Sequence, residues 1–212
     1  MVSLDTAALR RWVLGLPSAF LANLERLNAL DTLAGDGDHG TTMLRGLNAA
    51  AQAVRLLEGE TAGATLHAAG AAMRKAAGGA SGPLFSSLFL EFAKVTGESG
   101  LDLDGFVRGL ESSVSTVARL GKAEPGDRTM LDALGPAAAA ARASSGLEQA
   151  LEQALNAARD GVDATVSMVA RKGRARFVNA GVVNGMDAGA TSVVLMLEGL
   201  LEAAANQKME GA

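Results

Sequence analysis

The chain has 212 residues, of which 49% are hydrophobic and 20% charged, so it is long and apolar enough to bury one sizeable core. Its net charge of −4, its 3% of aromatic residues and the lack of a basic run disfavour nucleic acid and an anionic membrane as partners. The absence of cysteine excludes disulfides, thiolate catalysis and cysteine-based zinc sites, and suits the cytoplasm, which is the expected location.

Alanine and leucine, both strong helix formers, dominate the sequence between glycine-rich breaks. We predict eight helices, at about residues 5–33, 41–58, 62–77, from after Pro83 to 96, 103–120, 128–144, 147–171 and 187–207. The first should bend near Pro17, because proline removes a backbone donor. Residues 174–183 form the only β-like stretch. Since most connections are short, neighbouring helices should pack antiparallel in a single all-α domain over residues 1–212.

Two arginines precede an apolar run at residues 12–22, which has the length of a signal-peptide core. The apolar pattern continues at helical spacing through Leu24, Leu27 and Leu30, so a core helix is the favoured interpretation. No run of 18 apolar residues is present, and a transmembrane helix is therefore not predicted.

Four glycine-rich loops separate the predicted helices, at residues 34–40, 77–83, 121–130 and 182–192. They follow the first, third, fifth and seventh helices. In an up-and-down arrangement, these odd junctions all lie at the same end of the molecule. The order of the loops alone therefore predicts one composite site.

The first loop contains GDGDHG, which fits the dinucleotide-binding pattern G-x-G-x-x-G. That pattern requires a strand before the glycines, whereas the preceding residues look helical. A calcium-binding EF-hand also fails, because its twelfth position counted from Asp36 is Leu47 instead of a glutamate.

Three carboxylates lie in or just before this loop, at Asp31, Asp36 and Asp38. Carboxylates this close repel one another unless a cation or ordered donors offset their charge. Hard oxygen ligands suit Mg²⁺, which often takes further ligands from water and phosphate. The alternative is that they are solvated turn and cap residues, since aspartate and glycine are common in turns. We favour the metal site.

The two histidines differ in context. His39 follows the turn and could bind phosphate, carry a proton or cap the next helix, and these roles stay open. His67 lies in an alanine-rich helix with no acidic motif nearby and is predicted to be structural.

The other three loops each precede a predicted helix, whose N-terminus attracts anions. Glycines leave the backbone N–H groups accessible, and side-chain donors accompany them at Ser81, Arg128, Thr129, Thr191 and Ser192. Each loop alone could be an ordinary turn. Three at the same end as the carboxylates predict a phosphate site.

Basic residues crowd the end of the seventh helix, at Arg171, Lys172, Arg174 and Arg176. Cations favour a helix C-terminus, but an arginine could also bind a nucleotide phosphate through two hydrogen bonds. The residues alone leave both interpretations open.

With these motifs in order, the sequence resembles the nucleotide-binding L subunits of bacterial dihydroxyacetone kinases. The matching stretches are LDTLAGDGDHGTTM, GGASGPLF, GKAEPGDRTM, ARKGRA and DAGATS, spread over residues 30–192. The resemblance implies eight antiparallel helices in an up-and-down barrel, with ADP or ATP at one end. It implies that Asp31, Asp36 and Asp38 hold two Mg²⁺ ions bridged by the nucleotide phosphates. It also implies these nucleotide-binding residues: His39, Gly40, Thr41, Thr42, Ala80, Ser81, Gly121, Met130, Arg174, Asp187, Ala188 and Gly189.

Two positions depart from the family's pattern. Ala188 stands where the last motif usually has proline, and Thr42 where asparagine is common. Both substitutions change contacts without removing the carboxylates.

The resemblance further implies a reaction and its partners. A phosphoryl group would pass from the nucleotide to dihydroxyacetone held on a separate K subunit, with no nucleophilic side chain from this chain. ADP would be rephosphorylated in place by a phosphohistidine carrier, the M subunit of the phosphotransferase system, and homodimer formation is left open. The alternatives are an ATP-exchanging subunit of a ketose kinase, for example one acting on erythrulose, and a nucleotide-bound regulatory module.

Overall fold

The computed structural model describes residues 3–33, 35–172 and 185–211, and these residues are largely helical. The helices in these ranges are α1 (Thr6–Ala22), α2 (Leu24–Thr32), α3 (His39–Arg55), α4 (Ala62–Ala76), α5 (Ser81–Val95), α6 (Leu103–Gly121), α7 (Leu131–Arg142), α8 (Leu147–Ala164) and α9 (Ala188–Glu210). Two short strands that were not predicted, β1 (Ser3–Leu4) and β2 (Leu101–Asp102), pair antiparallel. The predicted β-like stretch at 174–183 lies outside the described residues.

The first predicted helix is two helices, because the chain departs from helical geometry at Asn23. This residue has φ −109° and ψ 10°, and its side-chain amide donates to the Ala19 carbonyl at 2.9 Å. Such a side-chain bond competes with the helical ladder. Pro17, where a bend was predicted, lies inside α1, so the helix continues through this residue.

The seventh predicted helix is shorter than expected. It ends at Ala164 and passes into a 3-10 turn, Thr165–Ser167. The Thr165 hydroxyl donates to the Val162 carbonyl, while the Thr165 carbonyl accepts from the Arg128 side chain at 3.1 Å. Because a distant arginine takes up this carbonyl, α8 ends before the helical pattern of the sequence does.

The helices close into a ring. Consecutive helices pack side by side from α3 to α9, and α1 packs against both α3 and α9. The closing contact includes a hydrogen bond from the Trp12 indole of α1 to the Met196 carbonyl of α9, at 2.9 Å. The predicted all-α, up-and-down architecture is therefore confirmed.

Apolar side chains fill the interior of the ring. Trp12 of α1 packs on Phe89 of α5, with 5.2 Å between ring centroids, and Phe92 contacts Phe106 of α6 at 6.0 Å. Several apolar side chains of α1 are buried, including Leu16 and Phe20, as expected of a core helix.

Helix α9 is, by length and composition alone, apolar enough to cross a membrane. Nevertheless, 61% of its most apolar window is buried inside the molecule, and α1, α7 and α8 pack against it. In this fold α9 forms part of the core.

Glycine permits a close approach of α8 to the start of α7, and we predict that alanine there destabilises the fold. A Cβ on Gly161 would lie 2.0 Å from the Asp132 carbonyl oxygen, so the helices would have to separate. We expect Gly161→Ala to lower the free energy of unfolding by about 1–3 kcal/mol, measured by urea denaturation.

Gly135 in α7 is the matched control, since no described atom lies within 4 Å of its added Cβ. Gly135→Ala should raise stability by about 0.5–1 kcal/mol through helix propensity. Equal effects of the two substitutions would contradict the packing explanation.

Candidate functional site

All four glycine-rich loops meet at a single cavity of about 320 Å³. Asp36 of the first loop, Gly79 of the second, Thr129 of the third and Asp187 of the fourth all line it. The prediction that odd junctions share one end of the molecule is thus confirmed. A volume of this size accommodates a ligand of nucleotide dimensions.

Four helices, α3, α5, α7 and α9, begin at this cavity, so the positive ends of their dipoles converge there. Among the described residues, the N-cap positions Asp38, Ala80 and Met130 make no side-chain cap hydrogen bond. The fourth helix at the cavity, α9, is capped by Asp187. At the other end α1, α4 and α6 are each capped by a side chain, whereas α8 has no such cap in the described part of the chain. The uncapped ends suit an anionic ligand.

The predicted carboxylate triad forms one cluster at the cavity. One carboxylate oxygen from each of Asp31, Asp36 and Asp38 lies within 4.8 Å of the others. Asp36 and Asp38 are exposed and Asp31 is half-buried. Three hard oxygen donors at this spacing match the ligand preference of Mg²⁺, so the residues present fit a magnesium site.

Asp31 is held in place by the start of α3. Its Oδ2 accepts hydrogen bonds from the backbone N–H groups of Asp38 and His39, at 3.0 and 3.3 Å. These donors offset the unfavourable position of Asp31 at the end of α2. A Cβ on Gly35 would lie 2.3 Å from Asp31 Oδ1, so a larger residue there would displace this carboxylate from its present position.

His39 is buried beside the carboxylates and lines the cavity. Its Nε2 lies 2.8 Å from Ser192 Oγ and its Nδ1 lies 3.4 Å from Ser81 Oγ. Burial lowers the pKa of His39, and the charges of Asp31 and Asp38 oppose that shift. Both ring nitrogens therefore face hydroxyl groups, of which Ser81 lies at the wall of the cavity and Ser192 is fully buried.

The third loop is organised by a buried carboxylate in the first turn of α7. Asp132 accepts hydrogen bonds from the backbone N–H groups of Gly126 and Thr129, at 2.5 and 2.7 Å. These bonds fold the loop back onto its own helix. The spacing of polar residues in the sequence did not single out Asp132.

Arg128 is the buried centre of this loop. Its backbone is left-handed, with φ 61°, and its side chain is 1% exposed. Nε donates to the Thr165 carbonyl at 3.1 Å, and one terminal nitrogen donates to the Gly185 carbonyl at 2.7 Å. Arg128 lines the cavity, but two of its nitrogens bind backbone and are not available to a phosphate.

Asp187 caps α9, accepting a hydrogen bond from the Ala190 N–H at 2.7 Å. Burial raises the pKa of Asp187 to about 6, against opposing effects of that hydrogen bond and of Arg128. The folded state therefore holds this proton more tightly than the unfolded state. The contribution of Asp187 to stability is present below about pH 4 and is lost as the pH rises through about 6.

We accordingly predict that Asp187→Asn removes part of this pH dependence. Asparagine also caps helices well, so the variant should match the wild type near pH 4 and exceed its stability at pH 8. Urea unfolding of nucleotide-free, magnesium-free protein across this range measures the effect. Asp163→Asn, an exposed change in α8, is the control. Parallel profiles for Asp187→Asn and the wild type would contradict the prediction.

The structure brings most of the predicted site residues to the cavity wall. These residues are Asp31, Asp36, Asp38, His39, Thr42, Ala80, Ser81, Gly121, Met130, Asp187, Ala188 and Gly189. Gly40 and Thr41 are not among the described lining residues, and Thr41 is instead hydrogen-bonded to Asn28 of α2. Arg174 lies outside the described residues. A nucleotide contact through any of these residues stays a prediction.

Sequence reasoning missed an apolar part of the wall. Leu84 of α5, Val117 of α6 and Met186 line the cavity together with Met130. Leu84 and Val117 occupy ordinary positions of a helical pattern, and Met186 lies just before α9, so nothing in the sequence separates them from core residues. Lys172 of the basic run also lines the cavity.

Sequence comparison identifies relatives of this chain. A family model described as the DAK2 domain matches residues 33–202. The chain is 34% identical to the ADP-binding subunit of the PEP-dependent dihydroxyacetone kinase of Escherichia coli, over 96% of this chain and 99% of that protein. It is 36% identical to L-erythrulose 1-kinase of Mycolicibacterium smegmatis, over 85% of this chain but only 32% of that protein.

Solved structures with a similar fold are also found. The dihydroxyacetone kinase of C. freundii in complex with AMP-PNP and Mg²⁺ matches with a TM-score of 0.67 at 24% identity, covering 96% of this chain and 35% of that one. Its native form matches with a TM-score of 0.63 at 25% identity, covering 96% and 36%. The likeness supports the helical fold.

Proposed function

The chain belongs to the DAK2-domain family, and on that basis we propose that it is the nucleotide-binding subunit of a dihydroxyacetone kinase. In this role it binds ADP or ATP with magnesium and supplies a phosphoryl group to dihydroxyacetone. The observation that carries the proposal is the convergence of four helix N-termini and three carboxylates on one cavity.

This combination suits a nucleotide with its metal better than either ligand alone. The helix N-termini attract an anion, whereas the carboxylates repel one. A cation held between the carboxylates and a phosphate chain satisfies both halves of the site. We propose two Mg²⁺ ions at Asp31, Asp36 and Asp38, where they would neutralise phosphate charge and align the transferring group.

The chain's own residues would bind and orient the nucleotide. We assign the phosphates to the glycine-rich second loop, with Ser81 as a side-chain donor and His39 behind it. The apolar wall of Leu84, Val117 and Met130 offers a surface for the base. No buried nucleophile is needed, because phosphoryl transfer depends chiefly on positioning and charge neutralisation. Arg174 keeps its proposed contact with the nucleotide.

The phosphoryl acceptor would be held by a separate K subunit. Exposed apolar side chains lie where the helices run into the loops, including Leu33 after α2, Leu120 at the end of α6 and Val169 beyond α8. Such residues around the cavity suit a docked partner. We propose that a phosphohistidine carrier, the M subunit, recharges ADP at the same end, and that the assembly works in the cytoplasm.

The second candidate is an ATP-exchanging ketose kinase subunit. It rests on the erythrulose kinases of M. smegmatis, which are 36% and 37% identical to this chain over 85% and 81% of its length. Against it, the chain spans about a third of those proteins but 99% of the E. coli subunit.

The first experiment is to measure the nucleotide and magnesium released by denaturing freshly purified, desalted protein. About one ADP and two Mg²⁺ per chain would support a retained cofactor that is recharged in place. An empty protein that exchanges ATP readily would support the second candidate. If neither nucleotide binds, the proposed function is wrong.

A turnover assay separates catalysis from a regulatory role. The chain alone should not phosphorylate dihydroxyacetone, and addition of purified K subunit with the phosphohistidine carrier should restore turnover. Tight ADP binding without turnover in the complete mixture would indicate a nucleotide-bound regulatory module instead.

A further inference from the structure

Three side chains form a continuous hydrogen-bonded row from the core to the cavity. Ser192, on the second turn of α9, is fully buried and its Oγ lies 2.8 Å from His39 Nε2. On the other side of the imidazole, His39 Nδ1 lies 3.4 Å from Ser81 Oγ, and Ser81 lines the cavity. The row therefore connects α9, α3 and α5 at the site.

The direction of the hydrogen bonds follows from the environment of Ser192. Within the described ranges, the His39 ring is the hydrogen-bond partner found for the Ser192 hydroxyl. Its neighbour Thr191 instead donates to the Asp187 carbonyl, at 2.8 Å. A buried hydroxyl hydrogen without an acceptor is costly, which favours the arrangement in which the Ser192 O–H donates to His39 Nε2.

This donation determines where the imidazole carries its hydrogen. A neutral imidazole has one donor and one acceptor, and Nε2 is here the acceptor. The hydrogen is therefore on Nδ1, which donates to Ser81 Oγ. A doubly protonated ring does not fit, because it would leave the Ser192 hydrogen without an acceptor.

The tautomer of His39 determines whether Ser81 can donate a hydrogen bond to a ligand. If Ser81 accepts from His39, its own hydrogen is left to donate into the cavity. In the opposite tautomer Ser81 would donate its hydrogen to His39 Nδ1, and a lone pair of the Ser81 oxygen would face the ligand. We propose that Ser192 is a positioning residue that holds His39 in the Nδ1–H tautomer and so makes Ser81 a hydrogen-bond donor to an anionic oxygen. The identity of that anion, a phosphate of ADP, rests on the proposed function.

The tautomer can be observed directly by ¹⁵N NMR of the full-length protein without ligand. The chain has two histidines, and the exposed His67 serves as the internal reference. In the wild type, His39 should show a protonated, pyrrole-type Nδ1 and an unprotonated, pyridine-type Nε2. The reverse assignment, or a doubly protonated ring, would overturn the proposal without any variant being made.

Ser192→Ala tests the cause. The variant should shift His39 towards the Nε2–H form and lower the affinity for ADP with magnesium about tenfold, measured by calorimetry. The matched control is Ser113→Ala, which removes another fully buried helical hydroxyl outside the site and should change neither quantity. An unchanged tautomer in Ser192→Ala would contradict the proposed role.

Ser81→Ala tests the final step. It should retain the Nδ1–H tautomer, since Ser192 is intact, and still lose affinity for ADP. Equal affinity of this variant and the wild type would exclude Ser81 as the donor. If wild-type protein binds no ADP, the proposed function fails, whereas the tautomer assignment stands or falls on the NMR spectrum alone.

Discussion

Asp36→Asn is expected to lower the affinity for ADP at least about 100-fold in the presence of magnesium and to reduce reconstituted turnover to background. The substitution removes one of three carboxylates whose oxygens lie within 4.8 Å of one another. Asparagine keeps the shape of the side chain but is a weaker ligand for a hard cation. Calorimetry with and without Mg²⁺ measures the effect.

The dependence on magnesium distinguishes a metal site from a structural defect. Without Mg²⁺, Asp36→Asn should bind ADP at least as well as the wild type, because one negative charge near the phosphates is removed. Asp36 is exposed, so the unfolding midpoint should change little. Asp163→Asn, exposed on α8, should bind normally under both conditions. Retention of magnesium-dependent binding and turnover in Asp36→Asn would refute the metal assignment.

Arg128→Ala is expected to destabilise the fold by about 3 kcal/mol, because a buried and a half-buried backbone carbonyl would lose charge-assisted donors. These carbonyls belong to Thr165, just after α8, and to Gly185, just before α9. Affinity for ADP should fall as well, since Gly185 leads into Met186 and Asp187 of the cavity wall. Urea denaturation and calorimetry report the two effects.

Two further substitutions separate the side chain of Arg128 from its backbone. The left-handed φ of 61° is unfavourable for alanine but not for glycine. Arg128→Gly should therefore be more stable than Arg128→Ala by about 1 kcal/mol. Arg128→Lys, which has a single donor group, should recover only part of the loss. If all three variants were as stable as the wild type, Arg128 would not link these segments.

Much of the site could be predicted from the sequence, because residue types that lie close together along the chain identified it. Asp31, Asp36 and Asp38 lie within eight residues of one another, and their density near glycines indicated a cation site from the sequence alone. Because all four loops follow odd-numbered predicted helices, these distant segments were then predicted to lie at one end of the molecule. This counting requires only the order of the helices and short connections between them, both of which can be read from a sequence.

Predicted helix boundaries were wrong where contacts in the folded protein prevailed over local helix propensity. The pattern after Ala164 remains helical, but Arg128 takes up the Thr165 carbonyl and the helix stops. The break at Asn23 has a local cause instead, a side-chain bond to the Ala19 carbonyl four residues earlier that competes with the helical ladder. Pro17, a stronger sequence signal, is accommodated inside α1.

The helical class, the order of the loops and the carboxylates that meet at the cavity can be read along the chain, because each depends on residues that are near neighbours in sequence. The surroundings of these residues depend on tertiary packing. It placed Ser192 on His39 across 153 positions and Arg128 on Gly185 across 57. It also turned Leu84 and Val117 towards the cavity. These relations depend on how helices pack, and a helical pattern specifies the apolar face of a helix without specifying which helix, or which ligand, that face meets.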